Sequence, residues 1–198
     1  MFDKQVIISI GREFGSGGHQ IAREIAKRLD LPYYDSNLLE EIARKKGFNS
    51  NDWEEHDERP RTPILTRTVR GRSSSFNENM AMMQFDFLRE KASNGESFVI
   101  VGRCSESILK EYDALISFFI LADVDKRIEN VAKTNNLPLN KAKSLVNSQD
   151  RKRKAYHNYY CDGKWGDARF YDLTINSGKL DFEEVVDLIL DYIKIRTK

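Results

Sequence analysis

Three glycines, Gly15, Gly17 and Gly18, fall within four positions, directly after a short apolar run and directly before an amphipathic one. Residues 5–10 (QVIISI) carry Val6, Ile7, Ile8 and Ile10 with little alternation, the pattern of a strand buried on both faces. Residues 20–29 place Ile21, Ala22, Ile25, Ala26 and Leu29 at helical spacing, so the chain must pass from strand to helix through Arg12-Glu13-Phe14-Gly15-Ser16-Gly17-Gly18-His19. Glycines there let the backbone take φ > 0 and come close to a ligand. The amide N–H groups of such a turn, with the helix N-terminus behind them, make a nest for an anion. The segment therefore reads either as a phosphate cradle or as a tight strand–helix turn.

Against the phosphate-loop pattern G-x-x-x-x-G-K-[ST] the match is incomplete. With Gly17 as the second glycine, Arg12 stands at the first glycine, Gly18 at the lysine and His19 at the Ser/Thr. The lysine that neutralises phosphate charge and the hydroxyl that holds Mg²⁺ are both replaced. Arg12, or an arginine from elsewhere, must supply the charge.

The same alternation continues. Residues 31–34 read as a second short strand, and Ser36 as the cap of a helix carrying Leu38, Leu39, Ile42 and Ala43. Residues 52–58 are acidic and residues 59–75 arginine-rich, a long stretch without regular pattern that reads as mobile, functional or both. Phe76, Met80, Met83 and Phe87 then form a helical stripe whose methionines serve core packing. Residues 97–101 and 115–121 are apolar runs of strand length, Pro138 opens a long polar helix to about Cys161, and residues 172–175 give a last short strand. Asp181 and Glu184 have capping-box spacing at the head of a final helix. Strands alternating with helices argue for an α/β fold with a parallel sheet covered by helices.

Composition narrows the function classes. Lys and Arg number 32 against 31 Asp and Glu, a net charge of +1, which argues against wholesale nucleic-acid binding. A chain that is 40% hydrophobic is not a disordered one. The longest apolar stretch, residues 114–122, is broken by Ser117 and falls short of the roughly 20 residues that a membrane-spanning helix needs. The N-terminal Met-Phe-Asp-Lys lacks signal-peptide architecture. Two cysteines, Cys104 and Cys161, make neither a disulfide framework nor a four-ligand zinc site, so a reducing, cytoplasmic setting is expected.

Four segments carry a family likeness: residues 9–22 (SIGREFGSGGHQIA), 34–43 (YDSNLLEEIA), 99–109 (VIVGRCSESIL), and 150–177 with DRKRKAYHNYY, WGD and YDLTINS. In that order they resemble the cytidylate kinase-like family, a branch of the P-loop nucleoside monophosphate kinases in which glycine commonly replaces the loop lysine. The resemblance covers nearly the whole chain. It implies a three-layer P-loop NTPase fold, with a five-stranded parallel sheet of order 2-3-1-4-5 flanked by helices and a helical lid. It implies one domain over residues 1–198, with an acceptor-binding region near 48–94 and a lid near 137–168. ATP and Mg²⁺ are the implied cofactors, and nucleoside mono- and triphosphates the partners. No membrane partner is implied, and a homo-oligomer remains open.

Residue by residue, Arg12 and Gly15, Ser16, Gly17, Gly18 and His19 match the phosphate loop. Asp35 and Ser36 match the turn facing the monophosphate, although Asp35 could equally cap the helix beside Ser36. Arg103 matches the Gly-Arg pair that meets the acceptor phosphate, and it follows a buried strand where open α/β sheets bind ligands. Asp150 and Arg153 match the lid's Asp-x-x-Arg; at i, i+3 they share a helical face, so Asp150 is expected to hold Arg153 ready for an oxyanion. His19 also reads as a surface residue at a helix start, His56 and His157 show no partner, and Cys104 reads as a small apolar side chain. Trp165-Gly166-Asp167 could lock the lid to the core or stack on a base. Cys104 stands where cytidylate kinases have an acid, and the arginine after their serine turn has no counterpart, so the acceptor base is open. The expected activity is ATP-dependent phosphotransfer to a nucleoside monophosphate or a related small acceptor. The alternative is a nucleotide-binding regulator on the same fold.

Overall fold

A computed structural model of the chain describes residues 4–35, 68–69, 72–73 and 76–198. Ser36 and its helix, the acidic stretch and most of the arginine-rich loop lie outside the described residues. Seven strands are described: β1 (Ile7–Arg12), β2 (Tyr33–Tyr34), β3 (Thr68–Val69), β4 (Arg72–Ser73), β5 (Phe98–Val101), β6 (Leu115–Leu121) and β7 (Leu173–Asn176). The α-helices among the described residues are α1 (Gly18–Leu29), α2 (Phe76–Ser93), α3 (Ser105–Ile108), α4 (Val124–Asn135), α5 (Leu139–Tyr160) and α6 (Phe182–Arg196).

Five strands form one sheet in the order β2-β5-β1-β6-β7, all pairs parallel, while β3 and β4 pair antiparallel apart from it. Numbered along the chain, the five have the expected order 2-3-1-4-5. Strand β1 is central, with Ile7 in register with Phe98 on one side and Leu115 on the other. Its alternate residues serve two cores. Ile8 and Ile10 join Val99, Phe118, α1 and α6 on one face, whereas Ile7 joins Phe98, Ile100 and Leu88 of α2 on the other. That double burial explains why β1 reads as an unbroken apolar run.

Helix α6 begins with the capping box its spacing announced: Asp181 N–H donates to Glu184 Oε2 at 2.8 Å, and the Asp181 side chain accepts in return. Helix α2 differs from expectation. Its buried face runs through Ala81, Phe85, Leu88 and Ala92, with Met83 and Phe87 only partly buried beside it. The face is turned one residue, about 100°, from the bulky stripe, because the two alanines let the helix lie close to its neighbours.

Helix α5 joins two regions. Its first half packs Ala142 and Val146 against Ile128 and Val131 of α4. Its last turns bring Tyr156 and Cys161 against Phe85 and Cys104. Between these anchors, Asp150 and Arg153 face the glycine loop. Beyond α5, Trp165 meets Phe119 of β6 edge-on at 5.4 Å, and Gly166 lies so close to Phe119 that a Cβ there would come within 3.1 Å. Trp165-Gly166-Asp167 thus clasps the chain after α5 to the sheet. No described helix is long and apolar enough to cross a membrane.

Candidate active site

The loop after β1 is held by its carbonyls. Ser16 Oγ donates to Glu13 O (2.9 Å), Arg127 Nη1 to Phe14 O (3.3 Å), Asn130 Nδ2 to Gly15 O (3.0 Å) and Ser177 Oγ to Ser16 O (2.6 Å). These bonds fix the loop backbone from Glu13 to Ser16. Gly15 and Gly17 have positive φ, 84° and 80°. The loop and the first turn of α1 border a cleft of about 840 Å³, closed on its other sides by α4 and the turn after β7. A loop with bound carbonyls and positive-φ glycines at the edge of a cleft suits an anion.

Arg12 lies in a slot kept open by two glycines. A Cβ on Gly18 would approach Arg12 Cβ to 2.7 Å, and one on Gly102 would collide with Arg12 Nη1. The position that carries lysine in other phosphate loops is therefore filled by the stem of Arg12. Gly102, Arg103 and Cys104 have positive φ in succession, 71°, 62° and 57°, just past the end of β5. Left-handed backbone costs about 1–3 kcal/mol at each non-glycine position, and such strain concentrates at functional sites. Arg103 is buried, and Arg12, Arg103 and Arg153 together border one small cavity of about 20 Å³, room for roughly one water. Arg12 and Arg153 border the large cleft as well. Arg153 lies over the Phe14 ring at 5.3 Å and donates from Nη1 to Arg12 O at 3.4 Å.

Asp150 does not hold Arg153. Its Oδ1 accepts the Phe14 N–H at 2.7 Å, and its Oδ2 accepts from Arg127 Nη1. Arg127 is a residue that sequence reasoning misses. Nearly buried, it also donates from Nε to Ala122 O at 3.0 Å and pairs with Glu13 at 3.2 Å. A buried guanidinium needs carboxylates around it, so Arg127 takes the acid that helical spacing assigned to Arg153. Burial holds the Glu13 carboxyl above its ordinary range, opposed by the Ala122 N–H and by Arg127. Nothing in the local pattern of α4 marks Arg127, because its charged partners, Glu13 and Asp150, come from other elements.

Asp35 is buried at the end of β2, where His19 Nε2 (3.2 Å) and Arg23 Nη2 (3.4 Å) reach it. His19 also meets Tyr33, its rings 5.8 Å apart and edge-on. The His19 side chain thus links the first turn of α1 to the β2 side. Burial and the nearby Asp35 push the Tyr33 phenol up. Ser36 lies outside the described residues.

A second group is not recognisable in the sequence. His157 Nε2 stands 2.6 Å from Glu106 Oε1, and Cys161 and Cys104 are buried beside them. Burial pulls the His157 imidazolium down, but hydrogen bonds with Cys161 and Glu106 outweigh it and push the group well up. The hydrogen bond from Cys104 holds the Cys161 thiol down, while that bond and burial push Cys104 up.

Comparison with known proteins supplies the lineage. Residues 7–179 match the cytidylate kinase-like family. A cytidylate kinase from Archaeoglobus fulgidus is 25% identical over 193 residues, which span 96% of this chain and 95% of that one. Another, from Pyrobaculum aerophilum, is 26% identical over 189 residues, 94% of this chain and 92% of its own. The crystal structure of an uncharacterized protein from Eubacterium ventriosum superposes with a TM-score of 0.77 at 38% identity, covering 96% of this chain and 99% of the other. Shikimate kinase from Bacteroides thetaiotaomicron shares the fold alone, with a TM-score of 0.58 at 13% identity over 96% of this chain and 98% of the enzyme. The glycine loop, the Gly102-Arg103 turn and the Trp165-Gly166-Asp167 clasp all fall inside the matched span, and the chain belongs to the cytidylate kinase-like family.

Proposed function

We propose that the chain transfers the γ-phosphate of ATP to a nucleoside monophosphate of the cytidylate type, or to a related small acceptor. The observation that carries this reading is the convergence of Arg12, Arg103 and Arg153 on one small cavity, two of them shared with the phosphate-loop cleft. Phosphoryl transfer asks a protein for positioning and charge neutralisation rather than covalent chemistry. Three guanidinium groups at the meeting of two cavities supply both, and forked donors suit phosphate oxygens.

The donor side fits a triphosphate, since the glycine loop borders the cleft and Arg12 stands in for the loop lysine. Mg²⁺ shields phosphate charge when bound. His19, at the usual hydroxyl position, is turned toward Asp35 and Tyr33, so the ion would be held by phosphates and water, as Mg²⁺ commonly is. On the acceptor side, Arg103 would grip the monophosphate, with Asp35 and Ser36 orienting it. Residues 48–94 would complete that side, and residues 137–168 would act as a lid excluding water. The cytidylate kinases that resemble this chain over nearly its whole length support the reading.

The test is ADP release from ATP·Mg²⁺ against a panel of nucleoside monophosphates including CMP, dCMP and UMP. Acceptor-dependent release, cut at least about 100-fold in Arg153→Ala as expected for a lost group that stabilises transferring phosphate, is the expected result. Saturable ATP binding with no acceptor-dependent release across the panel would replace it with the regulatory reading.

A further inference from the structure

We propose that Glu106, His157 and Cys161, with Cys104 drawn in as the fourth ligand, form a zinc site that ties the end of α5 to the turn after β5. The Glu106 carboxylate, His157 and Cys161 bring ligand atoms within 4.8 Å of one another, and all three residues are buried. Cys104 is buried in the same cluster as Cys161 but lies outside that group, so its thiol would move in to complete the set. The spacing is Cys-x-Glu on one element and His-x-x-x-Cys on the other, where i and i+4 share a helical face.

The hydrogen bonding around His157 points the same way. Trp165 N–H donates to Asn158 Oδ1 at 2.9 Å, which identifies that atom as the amide oxygen. The same oxygen stands 3.4 Å from His157 Nδ1 and can only accept, so Nδ1 carries a proton. A carbonyl oxygen on the non-ligating nitrogen is the usual support of a metal-bound histidine. With Nδ1 protonated, the lone pair of Nε2 meets a Glu106 oxygen at 2.6 Å. At 2.6 Å these two atoms share a proton, and a metal ion bound to both would take that proton's place.

The neighbouring thiols favour the metal. Two sulfurs, an imidazole and a carboxylate match the donor preference of Zn²⁺ rather than that of Mg²⁺. Tetrahedral zinc sets such donors roughly 3.5 Å apart, so binding needs Glu106 and His157 to separate by about 1 Å. Two thiolates and a carboxylate carry three negative charges against two positive ones, leaving an excess that Arg103, bordering the same cavity, offsets. Cys104 and Glu106 directly follow Arg103, and His157 lies one helical turn beyond Arg153. Zinc would therefore fix the spacing of those two arginines, and the site stands whether or not the chain is a kinase.

The chain has only two cysteines, so a thiolate-to-metal band reports on this site alone. Reduced, chelator-treated full-length protein is titrated with Co²⁺ under anaerobic conditions, followed by Zn²⁺ displacement. Expected are one equivalent bound, the visible bands of tetrahedral cobalt, a thiolate charge-transfer band, and a higher Tm with Zn²⁺. Cys161→Ser should lose the charge-transfer intensity, and Asn158→Ala should weaken Zn²⁺ binding about 10–100-fold while keeping the spectrum. No thiolate band in the wild type, or an undiminished band in Cys161→Ser, overturns the site. If Cys161→Ser fails to fold, the wild-type titration and Asn158→Ala decide.

Discussion

Arg12 is defined by what its neighbours lack. Gly18 and Gly102, on different elements, leave the slot through which its side chain runs toward the three-arginine cavity. The slot makes a sharp prediction, because Gly95 also has a positive φ (75°) but a Cβ added there would meet nothing within 4 Å. An alanine at Gly95 or Gly102 should lose about 1–2 kcal/mol of stability from left-handed backbone alone, read as a lower urea midpoint. Only Gly102→Ala also displaces the Arg12 guanidinium, so only it should lose turnover, by at least about tenfold, one to two kcal/mol of misplaced charge. Equal turnover in the two variants would show that Arg12 does not depend on its slot.

At the scale of elements, α5 decides how the loop is held. Its Asp150 fixes Phe14 N–H and the buried Arg127, which in turn binds Phe14 O. Asp150→Asn keeps the shape but removes the charge, and charged hydrogen bonds are worth about 1.5–3 kcal/mol. We expect KM for ATP to rise about tenfold while KM for the acceptor stays constant, since the loop loosens and Arg153 does not. A change confined to the acceptor would instead restore the pairing with Arg153 that helical spacing suggested. Steady-state kinetics with each substrate varied in turn distinguishes the two. The same helix shows where sequence is legible. β1, α1 and the capping box of α6 follow from local periodicity and spacing, and the glycine loop follows from its place between strand and helix. Arg127 and the Glu106–His157 contact were not legible, because each joins elements far apart in the chain. The stripe of α2 misled for a related reason: bulk marks apolar residues, but close approach is granted by Ala81 and Ala92. Cysteine counting likewise passed over a group in which histidine and glutamate would complete the proposed ligands.

For the molecule as a whole, the parallel sheet gathers the described groups at the C-terminal ends of its strands. β1 delivers the loop, β2 Asp35, β5 the Arg103 turn and β7 Ser177, while α5 crosses above them. Arg12 and Arg153 border the large cleft and, with Arg103, the water-sized cavity beside it, so under the proposed function the phosphates of both substrates would meet the same two arginines. A guanidinium already ordered by one phosphate costs less to order around the second, so binding should be positively coupled. Coupling of this kind typically amounts to about 1–3 kcal/mol, and it must be reciprocal. Calorimetry with a non-hydrolysable ATP analogue should show tighter acceptor binding, by roughly 5–150-fold. The bound acceptor should tighten the analogue by the same factor. Arg153→Ala should reduce both effects together while each substrate alone still binds. Additive binding in the wild type would mean that the shared arginines serve one ligand at a time.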